Sequence, residues 1–214
     1  KGWSTWLMTV KGGDAGAGGL AQRLEWEVPT SPGVFDFSIV DAPDLRDFLE
    51  ARREQLLPVF TTDFTRTAWL VKLPEATIEM ALDRGTISAI ALASGRAPVV
   101  ENLCEVELEL VDGTSTDPLF DVAIQLASDC HLHPEILSKA ERGYALATAA
   151  TASPVKGGAA AIKRDMRPLD AFRSIASACL VQLQRNEAGA VAGADPEYIH
   201  QARVAIRRLR SVFR

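Results

Sequence analysis

Hydrophobic and polar residues alternate in step along five stretches of this chain. Successive side chains on a strand point to opposite faces, so a period of two sorts residues into two rows. In Trp3 to Lys11, one row is Trp6, Met8 and Val10, and the other is Thr5, Leu7, Thr9 and Lys11. Arg23 to Val28 sets Arg23, Glu25 and Glu27 against Leu24, Trp26 and Val28. Phe60 to Leu73 sets Arg66, Ala68, Leu70 and Lys72 against Thr67, Trp69 and Val71. Thr77 to Ser88 sets Glu79, Ala81 and Asp83 against Ile78, Met80 and Leu82, and Asp83-Arg84-Gly85 reads as a turn. Cys104 to Leu110 puts Glu105, Glu107 and Glu109 in one row and Cys104, Val106, Leu108 and Leu110 in the other.

Elsewhere the period is helical. Asp41-Ala42-Pro43-Asp44 opens a helix that Leu45, Phe48, Leu49, Arg52, Leu56 and Leu57 continue until Pro58. Pro118 to Leu126 predicts another helix, and Pro134 to Tyr144 a third that carries Lys139 and Arg142. Thr148 to Ala161 is rich in Ala, Gly, Ser, Thr and Pro and reads as a linker. Asp170 to Gln184 predicts a helix, Gly189 to Gly193 a loop, and Asp195-Pro196-Glu197 the cap of a last helix.

Composition changes this picture little. The net charge of -5 gives no global pull toward nucleic acid. Three cysteines without paired spacing point to a reducing, cytoplasmic setting, and no apolar run is long enough to cross a bilayer. Gly12 to Gly19 holds five glycines in eight residues, but the phosphate-loop order is absent, so a flexible connection is expected. Cys130, His131 and His133 read as an exposed loop, and Trp3, Trp6, Trp26 and Trp69 as packing residues. Lys1 runs into a strand pattern and Arg214 stands inside a helical one, which suggests a piece of a longer chain.

The ionisable rows carry the chemistry. Lys11, Arg23, Arg66 and Lys72 supply cations, and Glu25, Glu27, Glu79, Asp83, Glu105, Glu107 and Glu109 supply carboxylates. A sheet closed with these rows inward would hold a polyphosphate and a divalent metal. A two-layer sheet with wet outer faces fits the same periodicity.

The segments Trp6-Leu7-Met8-Thr9-Val10-Lys11-Gly12-Gly13, Gln22 to Pro29, Phe64-Thr65-Arg66-Thr67, Ile78 to Gly85, Cys104 to Leu110 and Ser138 to Tyr144 together resemble a CYTH domain. That is the triphosphate tunnel metalloenzyme family, which includes class IV adenylate cyclase, thiamine triphosphatase and inorganic triphosphatases. The resemblance implies an α+β fold, an antiparallel β tunnel or barrel with flanking helices. By position, Lys11, Arg66 and Lys139 would grip phosphates, with Arg23 and Arg142 as further contacts. Glu105 and Glu107 would bind Mg²⁺ or Mn²⁺, and Asp83 would join Lys139 in catalysis. Family members open with a Glu-x-Glu-x-Lys strand and an Arg-x-Arg strand. Neither precedes Lys1, so an incomplete tunnel and weak turnover are expected of this chain.

Ile199-His200-Gln201-Ala202-Arg203-Val204-Ala205-Ile206-Arg207-Arg208-Leu209-Arg210 resembles a helix of a CHAD domain, a helical module that binds polyphosphate. His200, Arg203, Arg207, Arg210 and Arg214 recur at spacings of three and four, which makes one basic stripe. The expected layout is a CYTH-like domain over 1–147, a linker over 148–164 and the first helices of a CHAD-like bundle over 165–214. The expected function is metal-dependent hydrolysis of inorganic tripolyphosphate, with polyphosphate as a second partner and neither nucleic acid nor membrane. A non-catalytic polyphosphate-binding adaptor and a CYTH-type adenylate cyclase are the alternatives.

Overall fold

The computed structural model describes residues 5–12, 24–89, 99–150 and 152–213. The architecture is α+β with antiparallel strands, and the chain divides into two compact units. One unit comprises 59–153, and the other 1–58 with 154–214.

Unit 59–153 is built on a three-stranded antiparallel sheet. Strands β3 (Phe60–Lys72), β4 (Ala76–Ala89) and β5 (Val99–Gly113) lie in that order, with β4 central. The expected turn at Asp83-Arg84-Gly85 is not there. The strand runs straight through, with Asp83 opposite Arg66 and Glu105, and Gly85 opposite Phe64 and Leu103. Ladder pairing on both sides of β4 overrides local turn chemistry. Gly85 serves close approach instead, since a Cβ there would stand 2.0 Å from the carbonyl oxygen of Asp63.

Helix α2 (Asp117–Cys130) follows β5, and α3 (Lys139–Thr148) packs on β3 and β4. The helix expected from Pro134 begins only at Lys139. Ser138 accepts from the Glu141 amide at 3.2 Å while Glu141 accepts from the Ser138 amide at 2.9 Å, and this capping box sets the start. Gly143 lets the helix down onto the sheet, because a Cβ there would meet the Phe60 ring at 2.3 Å. Ile87, Leu103, Ala81 and Ala147 form the core of the unit, together with Ile78. Trp69 lies on the sheet face opposite the Arg66 row, which α3 does not cover, and it is 46% exposed, contrary to its expected packing role.

The other unit contains the hairpin of β1 (Trp6–Gly12) and β2 (Leu24–Thr30). Met8 is buried, and its sulfur accepts from the Asp36 amide. The Trp26 indole donates to Asp41 at 2.8 Å, while Trp6 is left exposed in the terminal pair of the hairpin. Helix α1 (Pro43–Glu50) stops short of Pro58, and a short 3-10 turn at Arg53–Gln55 follows, where the Arg53 guanidinium reaches Glu50 and the carbonyl of Phe35.

Helices α4 (Pro168–Ala192) and α5 (Pro196–Val212) form a hairpin in the same unit. Gly189, expected in a loop, lies inside α4 against the Tyr198 ring, and only Gly193, at φ +63, turns the chain. Buried Gln182 donates to Gln201 at 3.0 Å, and Phe172 meets Phe213 edge-on. The segment before α4 has no helix or strand through residue 163, yet it is seated on the helix pair. Asn186 accepts from the amide of Val155 at 2.9 Å and donates to its carbonyl at 2.8 Å, and Arg208 donates to the carbonyl of Gly158 at 3.1 Å. No helix among the described residues is long and apolar enough to cross a membrane.

Candidate active site

Three strands contribute one residue each to a row across the sheet. Arg66 on β3 stands opposite Asp83 on β4, which stands opposite Glu105 on β5. The strand period puts Glu107 on the same face, two residues along. The Arg66 Nε and Nη2 atoms donate to the two carboxylate oxygens of Asp83 at 2.7 Å each, a forked geometry, and Nη2 also reaches Glu107. Asp83 is fully buried.

Helix α3 adds two cations to this face, three residues apart. The Lys139 ammonium lies 2.8 Å from Asp83 and 2.7 Å from Glu107, and it also touches Glu105. The Arg142 guanidinium donates to Glu105 at 3.0 Å, to Glu101 at 2.7 Å and to the carbonyl of Asn102 at 3.4 Å. Three cations thus face four carboxylates: Glu101, Glu105, Glu107 and Asp83.

These contacts move the titrations. The hydrogen bonds from Arg66 hold the Asp83 carboxyl below its ordinary range; burial opposes them and Lys139 assists. Burial works to raise Glu107, but the bond and charge of Lys139, with the charge of Arg66, leave it lowered. Burial works against the charge on Lys139 as well, and its three carboxylate bonds outweigh it, so the ammonium is held more firmly than usual. Arg66 is raised, chiefly through its bonds to Asp83.

Of the residues singled out from sequence, Arg66, Asp83, Glu105, Glu107, Lys139 and Arg142 come together here. Lys11 belongs to the other unit, where it faces Glu25 across the hairpin at 2.9 Å. Arg23 lies outside the described residues, as does Arg214. Glu101 was missed. Its signal was present, since it shares the period-two row of Glu105 and Glu107. Asp83, Glu105 and Glu107 each offer a carboxylate oxygen within 4.8 Å of the others. Hard anionic oxygens are the ligands that Mg²⁺ and Mn²⁺ take, so the donor set fits such an ion. On α5, His200, Arg203, Arg207 and Arg210 line one groove with Val204 and Ser211. Cys130, His131 and His133 are exposed, and no metal-holding group forms around them among the described residues.

The CYTH domain family matches residues 3–144. The chain belongs to the CYTH family. Its CYTH region is followed by a match to the CHAD domain over residues 174–214. An inorganic triphosphatase of Haemophilus influenzae is 32% identical over 139 residues, which cover 65% of this chain and 37% of that protein. The CYTH chain therefore spans little more than a third of that relative's length. The Arg66, Asp83, Glu105, Glu107 and Lys139 cluster lies wholly inside the CYTH match.

Proposed function

We propose that the cluster on the three-stranded sheet is part of a site that binds a triphosphate chain and, with a divalent cation, hydrolyses inorganic tripolyphosphate to diphosphate and phosphate. The observation that carries this reading is the convergence of Arg66 and Lys139 with three carboxylates on one sheet face. Phosphoryl transfer needs both signs at one place: cations for the phosphate oxygens, and carboxylates for the metal that neutralises them. Glu105, Glu107 and Asp83 would hold Mg²⁺ or Mn²⁺. When bound, the ion would withdraw charge from the phosphate oxygens and make a water more acidic. Arg66 would present to phosphate oxygens the edge of its guanidinium that faces away from Asp83, held in orientation by its two bonds to that buried carboxylate. Lys139 would add a compact charge, and Arg142 a further contact. The similarity to the Haemophilus influenzae inorganic triphosphatase supports this substrate over a nucleotide.

Turnover by residues 1–214 alone is proposed to be weak, because the sequence contains no Glu-x-Glu-x-Lys strand. The α4–α5 part is proposed to bind polyphosphate through His200, Arg203, Arg207 and Arg210, which share a groove. The proposed setting is the cytoplasm.

The test measures tripolyphosphate binding and phosphate release together, across a titration of Mg²⁺ and of Mn²⁺. Metal-dependent release that disappears in Glu107→Gln supports the hydrolase. Tight binding without release at any metal concentration, in a chain that also carries the Glu-x-Glu-x-Lys strand, favours a polyphosphate-binding adaptor.

A further inference from the structure

The Lys139 ammonium stands where the cation of this site would stand. It lies 2.7 Å from a Glu107 oxygen and 2.8 Å from an Asp83 oxygen, and it touches Glu105. Those are the same three residues whose oxygens gather within 4.8 Å of one another. A space of that width admits one cation. Divalent ions of this kind hold oxygens at about 2.0–2.6 Å, so an ion among these ligands would overlap the ammonium.

We propose that Lys139 is a tethered counter-ion that fills the seat formed by Asp83, Glu105 and Glu107, and that a divalent cation enters by displacing it. The proposal rests on the reading of this cluster as the metal site. The side chain suits the role. A lysine carries a compact charge on a flexible stem, whereas the flat guanidinium of Arg66 is forked onto Asp83 and that of Arg142 is shared between Glu105 and Glu101. The backbone of Lys139 need not move, because the capping box of Ser138 and Glu141 fixes the start of α3. The Phe64 ring, 5.3 Å from the ammonium, lies beside the seat and offers a face to a cation. Without the lysine, only Arg66 and Arg142 would answer the three carboxylates, and their mutual repulsion would be less fully offset whenever the ion is absent. With it, the site stays neutralised, and the ion must replace an internal charge. The displaced ammonium is then free for an anion, so metal and a phosphate chain should each favour the binding of the other.

The test is Mn²⁺ affinity without phosphate, read by electron paramagnetic resonance on the full chain with circular dichroism as the folding check. Lys139→Met should bind Mn²⁺ about tenfold or more tightly than the wild type, and Arg142→Met, which removes a charge beside the seat, should gain far less. A second measurement uses the unaltered protein. Reductive methylation of Lys139 should speed up when Mg²⁺ is added, because displacement exposes the amine. A Lys139→Met variant that binds Mn²⁺ no more tightly than the wild type overturns the counter-ion, and so does labelling that Mg²⁺ leaves unchanged or slows. Glu107→Gln separates the two levels. If it loses Mn²⁺ while Lys139→Met gains nothing, the metal site stands and the counter-ion falls. If Mn²⁺ binding ignores Glu107→Gln, both fall.

Discussion

Arg66 and Asp83 face each other across β3 and β4, and the guanidinium closes on the carboxylate with two hydrogen bonds of 2.7 Å. One partner is fully buried and the other is 40% exposed, so the pair spans the boundary between core and solvent. Removing the arginine would leave a buried carboxylate with Lys139 as its remaining cation. Removing the carboxylate would leave a partly hydrated guanidinium that still reaches Glu107.

The first prediction follows from the lowered Asp83 titration. A carboxyl held below its unfolded value of about 3.9 contributes stability above that value. The contribution is lost as pH falls through the folded value. Urea melts from neutral pH down to about pH 2 should therefore show a steep acid limb. Asp83→Asn should begin less stable by about 1–3 kcal/mol, since it weakens the charged hydrogen bonds to Arg66 while the exposed guanidinium keeps Glu107. Its acid limb should be flatter, though Glu107, also lowered, will keep part of it. An unchanged slope would mean that the pair carries little of the linkage.

The second prediction concerns Arg142, whose donors reach three acceptors on β5. If it acts by aiming Glu105, then Glu101→Gln, which weakens its anchor without touching the other members of the cluster, should weaken Mn²⁺ binding as much as Arg142→Lys does. If Arg142 grips phosphate instead, Glu101→Gln should leave Mn²⁺ affinity alone and Arg142→Lys should weaken tripolyphosphate. Titrations of both variants with metal alone and with tripolyphosphate distinguish the two roles.

The rows within each strand were legible because a period of two needs no tertiary knowledge: Glu105 and Glu107 share a face by counting, as Glu79 and Asp83 do. Their register was not, because alternation says nothing about which residue stands opposite which. Glycine was the main source of error. Gly85 and Gly189 read as turn or loop residues, yet each lies inside a regular element where a neighbour comes too close for a Cβ. The position of α3 over the charged face was also hidden. Lys139 and Arg142 were reached through family resemblance, since helical periodicity does not say which sheet face a helix covers.

Gly143 supplies the third prediction. A methyl group there would meet the Phe60 ring at 2.3 Å, and the ring is rigid and already edge-on to Tyr144. Gly143→Ala should destabilise unit 59–153 by about 1–3 kcal/mol, the usual range for overpacking, despite the better helix propensity of alanine. It should also lift Lys139 off the carboxylates. Phe60→Leu combined with Gly143→Ala should recover part of the loss in thermal melts. No recovery would place the strain elsewhere.

The last prediction separates the arginines of α5. Arg203, Arg207 and Arg210 line the groove with His200, one helix face with no acid from Tyr198 onward. Arg208 does something else: it donates to Gln182 at 3.2 Å and to the carbonyl of Gly158 at 3.1 Å, and so ties the segment before α4 to the helix pair. A composition count treats the four as one basic patch, but their contacts do not. Arg203→Ala with Arg207→Ala should weaken polyphosphate binding about tenfold or more at low salt, with little change in melting temperature, because exposed like charges contribute little to stability. The remaining binding should depend less on salt, since fewer charges take part. Arg208→Ala should do the reverse. It should lower stability by about 1–2 kcal/mol through the lost bonds to Gln182 and Gly158, and leave polyphosphate affinity close to the wild type. Calorimetric titrations at two salt concentrations, set beside thermal melts of both variants, check the division. Loss of polyphosphate binding in Arg208→Ala equal to that of the double variant would show that the helix binds through its overall charge and not through one face.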